Sequence, residues 1–304
     1  MDKLKLFVKA SRFYVIPVML VPVVLGALAA FVWDGEFHPM LLVITVVGAA
    51  CAHLFSNMIN DIWDYKNGVD VEASEEGLVT TNSGMLSDGV MPMRTFAVWT
   101  WVLLFIAVLS GVLLSVLSGW WVMAFVVSGG LIAYFYVAPP LKYGYRGKGY
   151  SEIAILLAFG VLPIAGSYYV QTGHFDYRAI LLSLPVGILT TLLLFNHHFL
   201  HWQADKATGK NTLVVVWGEE RALRFSRMLM FLAYGTVVLC VILGILPVYG
   251  LLSLITIIPI YQVYGRLKST NPSQAYMPLM DASLKASMSC GIVMIIALVI
   301  QGNL

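Results

Sequence analysis

Asn57-Met58-Ile59-Asn60-Asp61-Ile62-Trp63-Asp64-Tyr65-Lys66-Asn67-Gly68-Val69-Asp70 closes an apolar run that begins near Pro39. If the helix of that run continues through this stretch, Asn57, Asp61 and Asp64 fall at i, i+4 and i+7 on one stripe, with Asn60 beside it. Two acids three positions apart on one face repel each other unless a cation sits between them. The plainer alternative is a solvated helix end that carries a few acids. The rest of the chain decides between the two.

Of the 304 residues, 60% are apolar and 11% are charged, and the mean hydropathy is +0.85. Soluble domains carry about 25% charge, so the composition predicts an all-α integral membrane protein. A net charge of +2 with no long basic run gives nothing for a nucleic-acid backbone to bind. A span needs about 20 mainly apolar residues. Nine such runs are predicted, at 13–33, 39–59, 95–117, 119–138, 153–171, 179–196, 226–246, 248–265 and 286–302. The weakest separation lies at Pro247.

With nine spans, 17 of the 18 Lys and Arg residues fall on one side, and only Arg178 falls on the other. The positive-inside rule makes the crowded side cytoplasmic. Trp33, Trp120, Trp121, Tyr168 and Tyr169 sit near span ends, as interfacial aromatics do. The first run is too long for a cleavable signal peptide and ends in no small-residue cleavage site. Cys51, Cys240 and Cys290 lie inside predicted spans without paired spacing, which suits buried thiols better than disulfides or metal ligands. The expectation is a single membrane domain over 1–304, a polytopic bundle of about nine helices.

Three segments on the cytoplasmic side hold most of the remaining polarity. The first is the Asn/Asp stretch with Glu72, Glu75, Glu76 and the loop from Thr80 to Gly89, which reads either as a lid or as a plain connector. The second, Tyr134 to Gly149, follows Pro139-Pro140 with Lys142, Arg146 and Lys148 among tyrosines. It suits either a lipid-headgroup anchor or a phosphate site. The third runs from Asn196 to Thr212. On a continuing helix it stacks His197, His201 and Asp205 at i, i+4 and i+8, a pattern that points to a site. Ionisable groups at membrane depth are costly, so gathering them at span ends keeps a wet site beside a dry interior. Magnesium bridging carboxylates to a substrate diphosphate fits such a cluster, and the apolar bundle suits a long lipid tail.

These residues carry a resemblance. Over nearly its whole length the chain resembles the UbiA-type intramembrane aromatic prenyltransferases. Ala10-Ser11-Arg12 with Ile16-Pro17 and Pro22-Val23-Val24-Leu25-Gly26 is similar to that family's first span, and Asn57 to Tyr65 with Asp70 is similar to its first aspartate-rich motif. The 134–152 segment, followed by Phe159-Gly160 and by Gly166 to Gly173, looks most like the menaquinone branch, whose acceptor is 1,4-dihydroxy-2-naphthoate. In the second acidic motif, Asp205-Lys206 and Gly209-Lys210-Asn211-Thr212 match, but His201 stands where the family usually has an acid. His197 and His198 replace its usual amides.

The resemblance implies transfer of a polyprenyl group from its diphosphate to an aromatic ring at the cytoplasmic face of a bacterial-type inner membrane. Mg2+ would be held by Asp61, Asp64 and Asp205, with His201 either hydrogen-bonding the diphosphate or a metal-bound water, or else marking a site that tolerates a softer metal. Arg12, Asn57, Asn60, Asp70, Tyr136, Lys142, Arg146 and Lys210 are the expected substrate contacts. The same chemistry on a benzoate-type ring, on haem or on another quinone precursor is the nearest alternative. A di-iron oxygenase would need more histidines than the six present, with His38 and His174 on the far side. A transporter would be expected to place its polar groups near the midplane, not at one face.

Overall fold

The computed structural model describes residues 2–69 and 82–303. Among these residues the chain is helical and contains no strand, only an isolated bridge between Arg146 and Asn211. The helices are α1 (Lys3–Ala10), α2 (Pro17–Asp34), α3 (Pro39–Lys66), α4 (Met93–Ser118), α5 (Val122–Phe135), α6 (Tyr150–Thr172), α7 (Tyr177–Ala207), α8 (Leu213–Trp217), α9 (Glu219–Ile242), α10 (Val248–Arg266) and α11 (Met277–Gly302). Eight of them are long and apolar enough to cross a membrane. The remaining predicted span, 119–138, corresponds to α5, whose 14 residues reach only about 21 Å, short of a bilayer core of about 30 Å. The separation at Pro247 is real: Val248–Thr256 winds as a 3-10 turn before the α-helical Ile257–Arg266.

Several helices outrun the apolar runs that predict them, always at the same end of the bundle. Helix α3 continues to Lys66 and α7 to Ala207, while α9 starts at Glu219 and α11 at Met277. Hydropathy marks only the part of a helix that lipid would surround. The added turns carry the polar residues of the motifs, and this is how the fold lifts a polar site onto one end of an apolar scaffold.

Helix α7 is the axis of the bundle: 72% of its most apolar stretch is buried, more than in any other span described. It packs against α2, α6, α9 and α11. Close approach is made possible by small residues. A Cβ on Gly160 would meet the Gly187 Cα at 2.8 Å, so α6 and α7 touch backbone to backbone. A Cβ on Gly26 would sit 2.3 Å from the Ile164 carbonyl oxygen, which fixes α2 against α6.

Several polar groups inside the bundle are paired in networks. Asn196 Nδ2 donates to Ser283 Oγ at 2.8 Å, its Oδ1 accepts from Ser226, and Ser226 meets the Tyr264 hydroxyl at 2.5 Å. Asn196 therefore ties α7 to α9, α10 and α11. At the end opposite the acidic motifs, Tyr168 donates to Asp34 and lies 3.1 Å from His174 Nε2. Arg178, the one cation predicted on that side, pairs with Asp176 at 2.5 Å and Asp34 at 3.8 Å and lies over Trp33. Its charge is locally neutralised, which reconciles it with the otherwise one-sided distribution.

Candidate active site

Helices α3 to α7, with the N-terminal part of α2 and the start of α11, enclose a cavity of about 920 Å3. Its apolar wall includes Gly48, Ala49 and Ala52 of α3, Val126, Gly129 and Gly130 of α5, and Ala158, Phe159 and Leu162 of α6. Leu157–Val161 of α6 winds as a π-helical turn, and Ala158 and Phe159 of that turn reach the cavity. The cavity's polar end carries Arg12, Asn57, Asn60, Asp61, Asp64, Tyr136, His201, Asp205 and Lys210. Helical continuation of α3 therefore does place Asn57, Asn60, Asp61 and Asp64 on one cavity-facing stripe.

Two cations hold the carboxylates. Arg12 Nη2 donates to Asp61 Oδ1 at 2.6 Å and to the Asn57 carbonyl oxygen at 2.7 Å. Asp61 Oδ2 accepts from the Ser83 backbone N–H at 3.1 Å, and Asn57 Nδ2 donates to the Ser11 carbonyl oxygen at 3.0 Å. Arg12 adopts a left-handed backbone with φ 52°, a conformation that costs a non-glycine residue about 1–3 kcal/mol. The contacts to α3 are what hold it there.

Lys210 Nζ lies 3.3 Å from Asp64 Oδ2 and 3.8 Å from Asp205 Oδ1, joining the two acidic motifs. Burial works against its ammonium, but the Asp64 and Asp205 carboxylates outweigh that cost and hold its pKa well above the ordinary lysine value. Tyr145 donates to Asp64 Oδ1 at 2.5 Å and accepts from Asn67 Nδ2 at 3.2 Å. Burial first, and then the Asp64 charge, raise the Tyr145 pKa, so the phenol stays a donor. Burial does the same for Tyr136. The loops meet where Asn211 N–H donates to the Tyr145 carbonyl at 3.0 Å, and Lys210 N–H donates to the Asp205 carbonyl at 2.7 Å.

Not every residue expected from the sequence reaches the cavity. Arg146 is exposed and donates through Nε to the Leu141 carbonyl oxygen at 2.8 Å, so its side chain turns back onto its own loop. Lys142 stands behind the cavity wall, where Nζ donates to Asn67 Oδ1 at 2.7 Å, again from a left-handed backbone (φ 40°). Asp70, Glu72, Glu75 and Glu76 lie outside the described residues, as does the start of the loop at Thr80 and Thr81. The described part of that loop brings Asn82 to the cavity and the Ser83 N–H to Asp61.

The site also includes residues to which the sequence assigns no role. Tyr145, Asn67 and Ser83 brace the carboxylates, and His53 lines the cavity together with His197 and His198. His53 was legible in principle, since it continues the stripe one turn before Asn57 and two before Asp61. Tyr145 was not, because its partner Asp64 is 81 positions away.

The donor types suit magnesium, although among the described residues no three of these side chains are gathered closely enough to hold an ion while Arg12 and Lys210 pair with them. Asp61, Asp64 and Asp205 supply hard carboxylate oxygens, and the buried Asn60 Oδ1 has no hydrogen-bond partner among the described residues. Arg12 and Lys210 beside them supply the positive charge that a diphosphate would also attract.

The profile of the UbiA prenyltransferase family matches residues 19–284. The chain belongs to the UbiA prenyltransferase family, and with eight helices among the described residues long and apolar enough to cross a membrane it is an integral, multi-pass membrane protein. It is 29% identical to the 2-carboxy-1,4-naphthoquinone phytyltransferase of Synechocystis sp. over 244 residues, 78% of this chain and 75% of that one. It is 28% identical to the 1,4-dihydroxy-2-naphthoate octaprenyltransferase of Escherichia coli, over 71% of this chain and 69% of that one. In fold it is similar to a UbiA homolog from Archaeoglobus fulgidus bound to GPP and Mg2+, with a TM-score of 0.67, 17% identity and coverage of 95% and 99%.

Proposed function

We propose that the protein transfers a polyprenyl group from polyprenyl diphosphate to 1,4-dihydroxy-2-naphthoate, with Mg2+, at the cytoplasmic face of a bacterial-type inner membrane. The observation that carries this reading is the convergence of Asp61, Asp64, Asp205, Arg12 and Lys210 on one end of a cavity whose remaining walls are apolar. Curated relatives named for naphthoate and naphthoquinone substrates support the acceptor, and the homolog bound to GPP and Mg2+ supports the donor and the metal.

Asp61, Asp64 and Asp205 would hold the metal, with Asn60 contributing its carboxamide oxygen. The bound ion supplies positive charge against the departing diphosphate. Arg12 and Lys210 bind the same diphosphate oxygens and balance their charge as the allylic C–O bond breaks. Tyr145 keeps Asp64 oriented, and His201, one turn before Asp205, donates to or accepts from the diphosphate's surroundings. The apolar walls sheath the tail and exclude water from the allylic cation, which would otherwise be captured as an alcohol. A ring carbon of the acceptor then forms the new C–C bond to the cation, the ring regains aromaticity as its carboxylate leaves as CO2, and diphosphate is the other product. Holding that carbon beside the cation carries much of the rate. The whole of 1–304 is proposed to act as one membrane domain.

The test is product formation by the purified chain with Mg2+, geranylgeranyl or longer diphosphate and dihydroxynaphthoate, read by mass spectrometry. A prenylated naphthoquinol that disappears in Asp61→Ala supports the reading. Turnover of a benzoate-type ring or haem instead, with none of the naphthoate, would replace the acceptor while keeping the chemistry.

A further inference from the structure

Three side chains of the cavity have no place in the chemistry of diphosphate release: His53 of α3, and His197 and His198 of α7. His53 and His198 are each only 4% exposed, and neither ring nitrogen of either residue hydrogen-bonds to a described residue; in both, Nδ1 is a buried polar atom without a partner. His53 meets Phe159 edge-on at 5.1 Å between ring centres, and His198 lies 6.1 Å from the ring of His197. Helices α3 and α7 both run toward the acidic end. His53 stands eight positions before Asp61 and His198 seven before Asp205, so both imidazoles lie about 10–12 Å behind the carboxylates along their helices. Both line the cavity whose polar end the carboxylates form, deeper in the bundle than those acids.

A buried imidazole always carries at least one donor N–H or one acceptor nitrogen, and leaving these unmatched is unfavourable. The polyprenyl tail cannot match them, because it has no hydrogen-bonding group. We infer that His53 and His198 are acceptor-recognition residues, whose ring nitrogens hydrogen-bond the hydroxyl or carboxylate oxygens of an aromatic acceptor and hold its ring beside the allylic carbon. This assignment rests on the prenyltransferase reading given above and adds to it the side chains that select the second substrate. It also gives the histidines in this chain a task separate from the metal: one pair of helices presents acids at the polar end and imidazoles deeper in the same cavity. Packing of Phe159 against His53 supplies an aromatic surface at the same level for the acceptor ring to lie on.

The test uses the purified full chain with Mg2+, geranylgeranyl diphosphate and whichever aromatic acceptor the wild type turns over, starting with dihydroxynaphthoate. KM is measured for donor and acceptor separately, and acceptor binding alone is followed by quenching of tryptophan fluorescence. His53→Phe and His198→Phe are each expected to raise the acceptor KM about tenfold or more, as loss of a buried hydrogen bond does, with donor KM within about twofold. His53→Gln or His53→Asn, which keep a donor and an acceptor, are expected to recover part of the loss. His53→Leu repeats the test if a larger ring prevents folding. Acceptor KM within twofold of wild type in both Phe variants overturns the proposal and leaves water as the imidazoles' partner. An equal rise in donor KM also overturns it, since the residues would then only shape the cavity. A wild type that neither binds nor prenylates any aromatic ring would sink the proposed function, and this assignment with it. An active wild type with indifferent histidine variants sinks this assignment alone.

Discussion

Lys210 and Asp64 stand 146 positions apart in the chain and 3.3 Å apart in the fold, and the same ammonium reaches Asp205 at 3.8 Å. One lysine therefore joins the two acidic motifs, which sit at the ends of α3 and α7. Its side chain is only 13% exposed, so removing it leaves two carboxylates facing each other with little water. Breaking such a buried pair costs about 3–5 kcal/mol. Lys210→Met is expected to lower the thermal midpoint and to reduce kcat by about a hundredfold, as loss of a charge-stabilising group at a reacting oxyanion does. Because the folded-state pKa of Lys210 is raised, its contribution to stability is complete below the unfolded lysine value and is lost only as pH rises through the folded one. A pH–rate profile should accordingly show no Lys210 limb in the neutral range. A thermal melt and steady-state rates on the one variant check both statements.

Chelation separates structure from chemistry. Asp61 is already paired with Arg12, and Asp64 and Asp205 with Lys210, so the fold has its own counter-charges at the acidic end. EDTA is expected to abolish turnover, and Mg2+ to restore it, while the helical circular dichroism stays unchanged. Asp61→Ala should behave differently, because it removes the carboxylate that Arg12, a mostly buried cation, pairs with at 2.6 Å. That variant is expected to lose both activity and several degrees in thermal midpoint. An enzyme fully active in EDTA would exclude the metal site proposed for these carboxylates.

The helical membrane architecture was legible because hydropathy and charge asymmetry are properties of single segments. The stripe of Asn57, Asn60, Asp61 and Asp64 was legible for the same reason: a helix fixes the angular relation of residues three and four apart. What lay beyond the sequence were the contacts between segments. Arg146 carries the charge expected of a diphosphate ligand, yet its loop turns it onto the Leu141 carbonyl. Arg12, with no local signal beyond its charge, reaches Asp61 through a left-handed turn. Helix α5 shows the limit of counting apolar residues, since its run reads as 119–138 but only Val122–Phe135 is helical before the chain turns toward Pro139-Pro140.

Tyr145 gives a cleaner probe of the acidic site than its carboxylates do. Its hydroxyl donates to Asp64 and accepts from Asn67, while the Lys142 and Lys210 ammonium groups lie over its ring. Tyr145→Phe removes the hydroxyl and keeps the ring for both cations. A hydrogen bond to a charged group contributes about 1.5–3 kcal/mol, so kcat/KM for the diphosphate substrate is expected to fall by roughly tenfold to a hundredfold. KM for the aromatic acceptor should not move. Kinetics in both substrates, with a thermal melt to confirm folding, decide this.

The apolar wall makes a prediction about chain length. A Cβ built on Gly130 would meet nothing within 4 Å, although Gly130 lines the cavity. It stands six positions before Tyr136 on α5, about 9 Å down the wall from the polar end. A large side chain there leaves the backbone without a clash at Cβ and is expected to enter the space that the prenyl tail needs, and replacing glycine within a helix favours the helix by up to about 1 kcal/mol. Gly130→Trp is therefore expected to fold normally and to retain turnover of short allylic diphosphates. Long donors should lose at least tenfold in kcat/KM, as an overfilled apolar pocket imposes a penalty of about 1–3 kcal/mol. Competing a ten-carbon donor against a forty-carbon one, and weighing the two products by mass spectrometry, reads the ratio directly. An unchanged ratio would mean that the tail leaves the cavity before it reaches Gly130, between α5 and its neighbours.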